Sequence, residues 1–369
     1  MQKYKTWVEI NSKAIAHNIK QIKSLLTPKT QLWSVVKSNA YGHGLTTFSK
    51  IATQLGINGF CVDSVPEGRK LRENGIKKPI LVLGPSLPFY LESAAKNGLT
   101  ITVSNWDALK ALTASKWKPA FHLKIDSGMH RQGFYNSDLR PVTQLIKQRG
   151  LNLIGAYTHF ASAKDINYPT YTENQFASFQ KALNLLERSG FKNILCHAAA
   201  TGGTLVNPKY QLDMVRIGIG LYGLWPSKEL TIQRPELKFK PALSWHTVIS
   251  EIKKLKAGDF VGYDLVERVQ KPTKMAILPI GYWHGFPRTL SGVGEVLING
   301  KKAKVLGRVS MDLVVIDAGN ISCKVGDKAT IIGRQKGEGL SAFDVAQKMG
   351  TIHYELITRI NPLIERVVT

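Results

Sequence analysis

Lys37 closes the apolar run Leu32–Val36 and is followed by Ser38-Asn39-Ala40-Tyr41-Gly42-His43-Gly44. A lysine at the end of a buried strand can be desolvated, lose its proton more easily and attack a carbonyl to form a Schiff base. Gly42 and Gly44 allow a tight turn, and Tyr41 offers a hydroxyl to an anion. A second group is His197-Ala198-Ala199-Ala200-Thr201-Gly202-Gly203 with Arg216-Ile217-Gly218-Ile219-Gly220. Small residues, a threonine hydroxyl and free backbone N–H groups suit a phosphate. Arg216 stands between Val215 and Ile217, so burial is expected, and a buried guanidinium needs a partner. His159 is a possible neighbour, or else a core histidine. In the third group, Lys124–Phe134, Arg131 could clasp a carboxylate with two parallel hydrogen bonds or be an ordinary loop arginine. The fourth comprises Gly262-Tyr263-Asp264, Ile280-Gly281-Tyr282 and Ser310-Met311-Asp312, which taken singly read as structural. No metal-binding His-Glu-x-x-His, paired Cys-x-x-Cys or Gly-x-Ser-x-Gly elbow occurs, and Gly218-x-Gly220 reads as too short for a Gly-x-Gly-x-x-Gly after a strand.

Such residues need a scaffold that brings strand ends together. Up to about residue 225, apolar runs alternate with helical patterns. The runs are Leu32–Lys37, Gly59–Asp63, Ile80–Gly84, Thr100–Val103, Phe121–Asp126, Leu153–His159, Ile194–His197 and Met214–Gly218. Ile15, Ile19, Ile22 and Leu26 recur at helical spacing after a possible N-cap at Ser12, and Phe176, Phe179, Leu183 and Leu186 do so before Gly190. Eight strand-helix units point to a (β/α)8 barrel, although counting alone leaves a doubly wound open sheet possible. In a barrel, the carboxyl ends of the strands carry the active site, and a phosphate is expected after strands seven and eight.

From Leu243 the texture is β-like: His246–Ile252, Phe260–Tyr263, Lys274–Ile280, Gly294–Ile298, Val305–Ser310, Leu313–Asp317 and Lys328–Ile332. One helix interrupts it near Ser341–Met349, with Ser341 and Asp344 as a capping box. The fold class is therefore α/β: an N-terminal strand–helix domain, (β/α)8 barrel or open sheet, over 1–234, then a mainly-β domain over 235–369.

The chain has 369 residues, 43% hydrophobic and 21% charged, enough for a large core without staples. No apolar run nears the ~18 residues of a membrane span, and the first residues lack a secretory leader's apolar core. Cys61, Cys196 and Cys323 are few, odd in number and far apart, which suits free thiols in a reducing cytoplasm. The net charge of +24 raises the question of nucleic acid, but the basic residues are scattered, and a lysine-rich solvated surface is the plainer reading.

Together these four groups resemble bacterial alanine racemases over essentially the full length. Val35-Val36-Lys37-x-Asn39-Ala40-Tyr41-Gly42-His43-Gly44 is similar to that family's cofactor-lysine signature. His122–Met129, Tyr157-Thr158-His159-Phe160, Val215–Gly223, Ile280-Gly281-Tyr282, Met311-Asp312 and Tyr354–Pro362 occur in the family's order. The resemblance implies a pyridoxal phosphate enzyme interconverting L- and D-alanine, which supplies D-alanine for peptidoglycan. It implies a homodimer with shared sites, Lys37 as Schiff-base lysine and base for D-alanine, and the partner's Tyr263 as base for L-alanine. Arg131 and the N–H of the partner's Met311 would bind the substrate carboxylate. Tyr41, Thr201, Gly218, Ile219 and Tyr354 would surround the phosphate, and Arg216 would face the pyridine nitrogen with His159 beside it. Lys124 matches a lysine carbamylated in some members. Residues 4–10 are expected to pack with the β domain. No metal, nucleic acid or membrane partner is implied.

Ala200-Thr201 stands where the family often has Asn-Ser, Trp283-His284-Gly285 where it has Ala-Asp-Gly, and Gly262-Tyr263-Asp264 where it has Ser-Tyr-Gly. These departures keep a serine or broader-specificity racemase open. A decarboxylase of the same architecture would carry an acid at Arg216. A non-catalytic pyridoxal phosphate homeostasis protein would end after the barrel.

Overall fold

The computed structural model describes residues 4–165 and 167–369, so the leader reading falls partly on residues outside those described. The chain divides into two compact units. One comprises Ala14–Ala40 and Phe48–Lys240; the other comprises residues up to Lys13, Tyr41–Thr47 and Pro241–Thr369.

After β1 (Thr6–Ile10) come the barrel strands β2 (Gln31–Val35), β3 (Gly59–Val62), β4 (Ile80–Pro85), β5 (Thr100–Val103), β6 (Phe121–Lys124), β7 (Leu153–Tyr157), β8 (Leu195–His197) and β9 (Met214–Ile217). They pair in parallel in the order β8-β7-β6-β5-β4-β3-β2-β9. β3, β6 and β9 are buried at every position, which explains their unbroken apolar runs. Near-closure comes just past the end of β8: the Arg216 N–H donates to the Ala199 carbonyl at 3.0 Å, and Ala200 and Arg216 form a parallel bridge. An open sheet has no such link.

The outer helices bury one face each. Pro169–Arg188 starts on its proline and buries Phe176, Phe179, Ala182 and Leu186; Leu139–Gln148 buries Leu139, Val142 and Ile146. Each buried Phe, Leu, Val or Ile among them contributes about 1.5–3 kcal/mol, so Phe179→Ser would cost this helix its anchor. Ser12 does not cap the first helix. It is the first residue of Ser12–Lys23, and its hydroxyl donates to the Thr369 carbonyl at 2.9 Å; Leu26 lies past the helix end.

The second unit is built on β10 (Leu243–Val248), β11 (Glu251–Leu255), β12 (Thr273–Leu278), β13 (Glu295–Ile298), β14 (Lys301–Leu306), β15 (Val314–Asp317), β16 (Lys328–Gln335), β17 (Glu338–Leu340) and β18 (Glu365–Val368). Their order is β11-β12-β15-β14-β13-β16-β10-β1-β18, with β17 on β16. β1 lies between β10, antiparallel, and β18, parallel. The run expected as one strand over His246–Ile252 is two, broken after Val248. Phe260–Tyr263 is not a strand: only a bridge from Phe260 to Arg268 forms, and Tyr263–Leu265 is a 3₁₀ turn. The helix Ala342–Lys348 has the expected Ser341–Asp344 capping box. A short helix, His353–Thr358, precedes β18.

Candidate active site

Lys37 lies two residues past β2 instead of ending it. Its side chain is 39% exposed, and Nζ is 3.6 Å from Oδ1 of Asp63, just past β3. The backbone then does something unusual for L-residues. Ser38, Asn39, Ala40 and Tyr41 have φ of 55°, 56°, 52° and 50°, a full left-handed turn. Left-handed helix costs roughly 1–2 kcal/mol per residue, so the surroundings must hold it. Two anchors are visible at its start. The Ser38 N–H donates to Oε1 of Glu67 at 2.7 Å, and the Ala40 N–H to the Val36 carbonyl at 2.8 Å.

Arg216 on β9 is 2% exposed. One guanidinium nitrogen donates to Nδ1 of His197; the other donates to the carbonyls of Thr158 and Ala198, both at 2.8 Å, with His159 Nδ1 further away at 3.4 Å. Among the described residues no carboxylate pairs with it. His159, two residues beyond β7, is thus the outer neighbour and His197 the close one. An arginine only donates, so Nδ1 of His197 accepts and its Nε2–H reaches Nδ1 of His122 at 2.8 Å. The Tyr157 ring stacks on His197 with centroids 4.7 Å apart, and the Tyr157 hydroxyl lies 2.9 Å from Thr102 Oγ1. Strand register explains the assembly: Lys124, Tyr157 and His197 are partners across β6, β7 and β8. His122 has room because its β7 partner is Gly155, whose missing Cβ would sit 2.6 Å from the imidazole.

Burial, and then the charge of Arg216, push His122 down to about 3. Burial likewise holds His197 and His159 well below the usual histidine range, with Arg216 next for His197 and Lys124 next for His159. Lys124 is 5% exposed, and its Nζ sits 4.3 Å from the Tyr157 ring centre. Burial, then Arg216 and Arg131, depress its amine far below the normal lysine range, with Asp126 opposing.

Arg131 stands in a loop organised by Asp126. Oδ1 accepts from the N–H groups of Gly128, Met129 and His130 at 2.9, 2.9 and 3.0 Å, and Oδ2 from that of Arg131 at 3.1 Å. Burial works to raise the Asp126 carboxyl, but these four donors outweigh it and hold it low.

Beyond β8 and β9, Thr201 Oγ1 accepts from the Gly220 N–H at 3.4 Å. The helix Thr201–Val206 has Ala200 before it and no side-chain cap, so its first N–H groups lack an intrahelical acceptor. The pair Gly218-x-Gly220, read from sequence as too short to count, in fact extends to Gly218-x-Gly220-x-x-Gly223, a phosphate-loop spacing directly after β9. It opens no helix: Leu221, Tyr222 and Gly223 N–H groups bond back to the carbonyls of Gly218, Ile219 and Gly220. A primary amine, uncapped N–H donors beside a threonine, and a buried guanidinium without a carboxylate suit an aldehyde-bearing aromatic phosphate.

In the second unit, the Tyr41 and Tyr354 rings lie 6.2 Å apart. Gly42 lets this happen: at φ 82° a Cβ there would be 2.0 Å from the Ile357 carbonyl oxygen of the helix that carries Tyr354. Arg366 donates to the Gly42 carbonyl at 3.1 and 3.2 Å. Burial raises the Tyr354 phenol. Tyr263 and Met311 are both exposed, with Leu265, Tyr282, Trp283 and Leu313. Tyr282 and Trp283 N–H groups donate to the carbonyls of Ser310 and Met311 at 3.1 and 3.0 Å, so these two segments are knitted together.

From sequence, His197 opens the second group, and His122 and Tyr157 fall within the family-like motifs, but none of the three is given a role in the site. Alternation along β6 puts His122 on the same face as Lys124, which was the available signal.

The family model for the alanine racemase N-terminal domain matches residues 10–226, and that for the C-terminal domain matches 242–368. An alanine racemase of Desulforamulus reducens is 38% identical, over 98% of this chain and 98% of its own length. One from Leptospira interrogans is 35% identical over 99% and 96%. The crystal structure of alanine racemase from Bacillus anthracis with bound L-Ala-P has a TM-score of 0.94 and 36% identity, covering 100% of this chain and 96% of that one. A Clostridium difficile alanine racemase in complex with cycloserine has a TM-score of 0.91 and 30% identity, covering 100% and 96%. With both halves matched in order and the whole fold superposable, the chain belongs to the alanine racemase family.

Proposed function

We propose that this chain interconverts L- and D-alanine with pyridoxal phosphate held on Lys37. The observation that carries the reading is Arg216, a buried cation beside strand ends that offer Lys37 and uncapped N–H groups. Bound there, the cofactor supplies a Schiff base and an electron sink for the carbanion left when the Cα–H bond breaks. Arg216 donates and cannot accept, so it leaves the ring nitrogen unprotonated and tempers that sink, which favours simple proton return. Tyr41, Tyr354, Thr201 and the N–H groups of Gly218 and Ile219 hold the phosphate, and His159 flanks Arg216.

Lys37 Nζ takes the α-proton of D-alanine on one face, and Oη of the partner's Tyr263 returns one on the other; for L-alanine the roles reverse. Arg131 and the N–H of the partner's Met311 bind the carboxylate. Burial first, and then Arg216 and Arg131, lower the Lys124 amine toward the neutral form that adds carbon dioxide; the carbamate forms with release of a proton, and its negative charge faces Arg131. Exposed Tyr263, Leu265, Trp283, Met311 and Leu313 give a second copy an apolar surface to cover, which supports a homodimer with shared sites. We place the enzyme in the cytoplasm: Cys61, Cys196 and Cys323 are unpaired. Among the described residues no helix is long and apolar enough to cross a membrane.

The test is incubation with L-alanine, L-serine and other L-amino acids in deuterated water, scoring enantiomer and α-deuterium. Alanine is expected to racemise with α-exchange, Lys37→Ala to be inert, and Tyr263→Phe to lose most activity. No exchange into alanine by the purified protein would refute the reading.

A further inference from the structure

Glu67, in the helix Val65–Glu73 that follows β3, belongs to none of the groups discussed above. Its carboxylate holds two backbone N–H groups at once. Oε1 accepts from Ser38 at 2.7 Å, and Oε2 accepts from Asp63 at 2.7 Å. Ser38 follows Lys37 directly, and Asp63 carries the carboxylate 3.6 Å from Lys37 Nζ. One side chain therefore ties the ends of two neighbouring strands, β2 and β3, at the residues that set where the Lys37 amine lies. The tie falls on the first residue of the left-handed turn, where no helical or sheet partner serves the Ser38 N–H. Glu67 is itself fixed at its own backbone, where its N–H reaches the N-cap hydroxyl of Ser64 at 3.4 Å. Hydrogen bonds to a carboxylate are short and strong compared with neutral ones.

We propose that Glu67 is the positioning residue for Lys37: its bridging carboxylate locks the left-handed turn and so presents the lysine amine to the cofactor. This rests on the reading that Lys37 carries pyridoxal phosphate. Glu67→Gln is the sharp variant, because a glutamine keeps the size but one of its two ends donates. It can serve one N–H and must repel the other. Glu67→Ala removes both. Asp63→Asn removes the ion pair yet keeps its backbone N–H, and Ser64→Ala removes the 3.4 Å cap on the Glu67 N–H but leaves the carboxylate that makes the clamp.

The experiment has two readouts on the full chain. Deuterium exchange by mass spectrometry on the cofactor-free protein follows the peptide spanning 36–41. Cofactor binding is followed by absorbance, with borohydride fixation and peptide mapping to identify the modified lysine. Faster exchange in that peptide and about tenfold weaker cofactor binding are expected for Glu67→Gln, more for Glu67→Ala, and neither for Ser64→Ala. Wild-type exchange and affinity in Glu67→Gln would overturn the proposal, as would equal losses in Ser64→Ala, which would mark a merely structural helix. Should Glu67→Ala not fold, Glu67→Gln decides alone. Fixation at a lysine other than Lys37 in the wild type would instead refute the underlying assignment, leaving the exchange result to stand separately.

Discussion

Arg216 donates to Nδ1 of His197, and that one bond sets the direction of every proton behind it. The imidazole must carry its hydrogen on Nε2, which passes to Nδ1 of His122 at 2.8 Å. Both rings are therefore neutral donors and acceptors in series, and the positive charge stays on the guanidinium. Two carbonyls, of Thr158 and Ala198, complete its coordination. A buried cation satisfied by neutral acceptors is rigid, because each partner is backbone or a fully packed ring.

Replacing His197 by Phe keeps the stack on Tyr157 and removes both nitrogens. A guanidinium N–H and His122 Nδ1 lose their partners. Leaving buried polar groups unpaired costs about 1–3 kcal/mol each, so the urea midpoint should fall clearly. An unchanged midpoint would mean that the chain of bonds does not hold Arg216.

Acid should attack the same network. His122 falls from 6.5 to about 3 on folding because burial and Arg216 both disfavour its cation. Its depressed folded value means that the neutral ring stabilises fully above pH 6.5, and that the contribution fades as pH drops toward 3. Thermal midpoints should decline across that window. His122→Asn, whose amide oxygen can still accept from His197, should flatten the decline; a slope equal to wild type would assign the acid sensitivity elsewhere.

Arg216→Glu tests the choice of reaction. On the proposal that Arg216 faces the cofactor's ring nitrogen, a glutamate there would share a proton with it and deepen the electron sink, which would favour transamination over simple proton return. The same carboxylate faces the carbonyls of Thr158 and Ala198 with nothing to donate, so stability should fall as well. The ratio of pyruvate formed to alanine racemised should rise in the variant. If that ratio holds constant, the ring-nitrogen account is wrong.

What the sequence made legible was the part governed by short-range pattern. Unbroken runs such as Phe121–Lys124 and Met214–Ile217 read as strands because both faces are buried, and Ser341 with Asp344 reads as a cap because three residues suffice to make one. The site's inner ring was hidden because it depends on register between distant strands: nothing local says that Tyr157 stands opposite both Lys124 and His197. The left-handed turn was hidden for another reason. Of Ser38, Asn39, Ala40 and Tyr41 only asparagine favours that region, so the conformation is imposed by contacts such as those of Glu67 and the Val36 carbonyl. Phe260–Tyr263 misled in the opposite sense, since its aromatic residues favour strand while Gly262, at φ 74°, breaks it.

Asp126 makes a prediction about substrate affinity. Its Oδ2 holds the Arg131 N–H while Oδ1 gathers three others. Asp126→Asn can keep one oxygen on one cluster but sets an amide N–H2 against the remaining donor. The loop should loosen around Arg131, raising KM for alanine several-fold with a smaller change in kcat, because the proposed proton-transfer groups, Lys37 and the partner's Tyr263, are elsewhere. Steady-state kinetics in both directions check this, and a loss confined to kcat would contradict it.

Ser38 offers the most direct test of the turn itself. It is exposed, with φ 55° and ψ 53°. In ordinary structure Ser→Gly destabilises by about 0.5–1 kcal/mol through the greater freedom of the unfolded chain. Here the folded side changes too: glycine enters the left-handed region without the clash of Cβ, relieving roughly 1–2 kcal/mol. The second effect is the larger, so Ser38→Gly should be neutral or stabilising. Ser38→Val should destabilise, because a β-branched residue is a rare outlier at positive φ. Neither change removes the backbone N–H that Glu67 holds, so the comparison isolates conformation from hydrogen bonding. Denaturation of the cofactor-free protein reads the order directly: valine as stable as glycine would mean that the chain does not turn left-handed after Lys37.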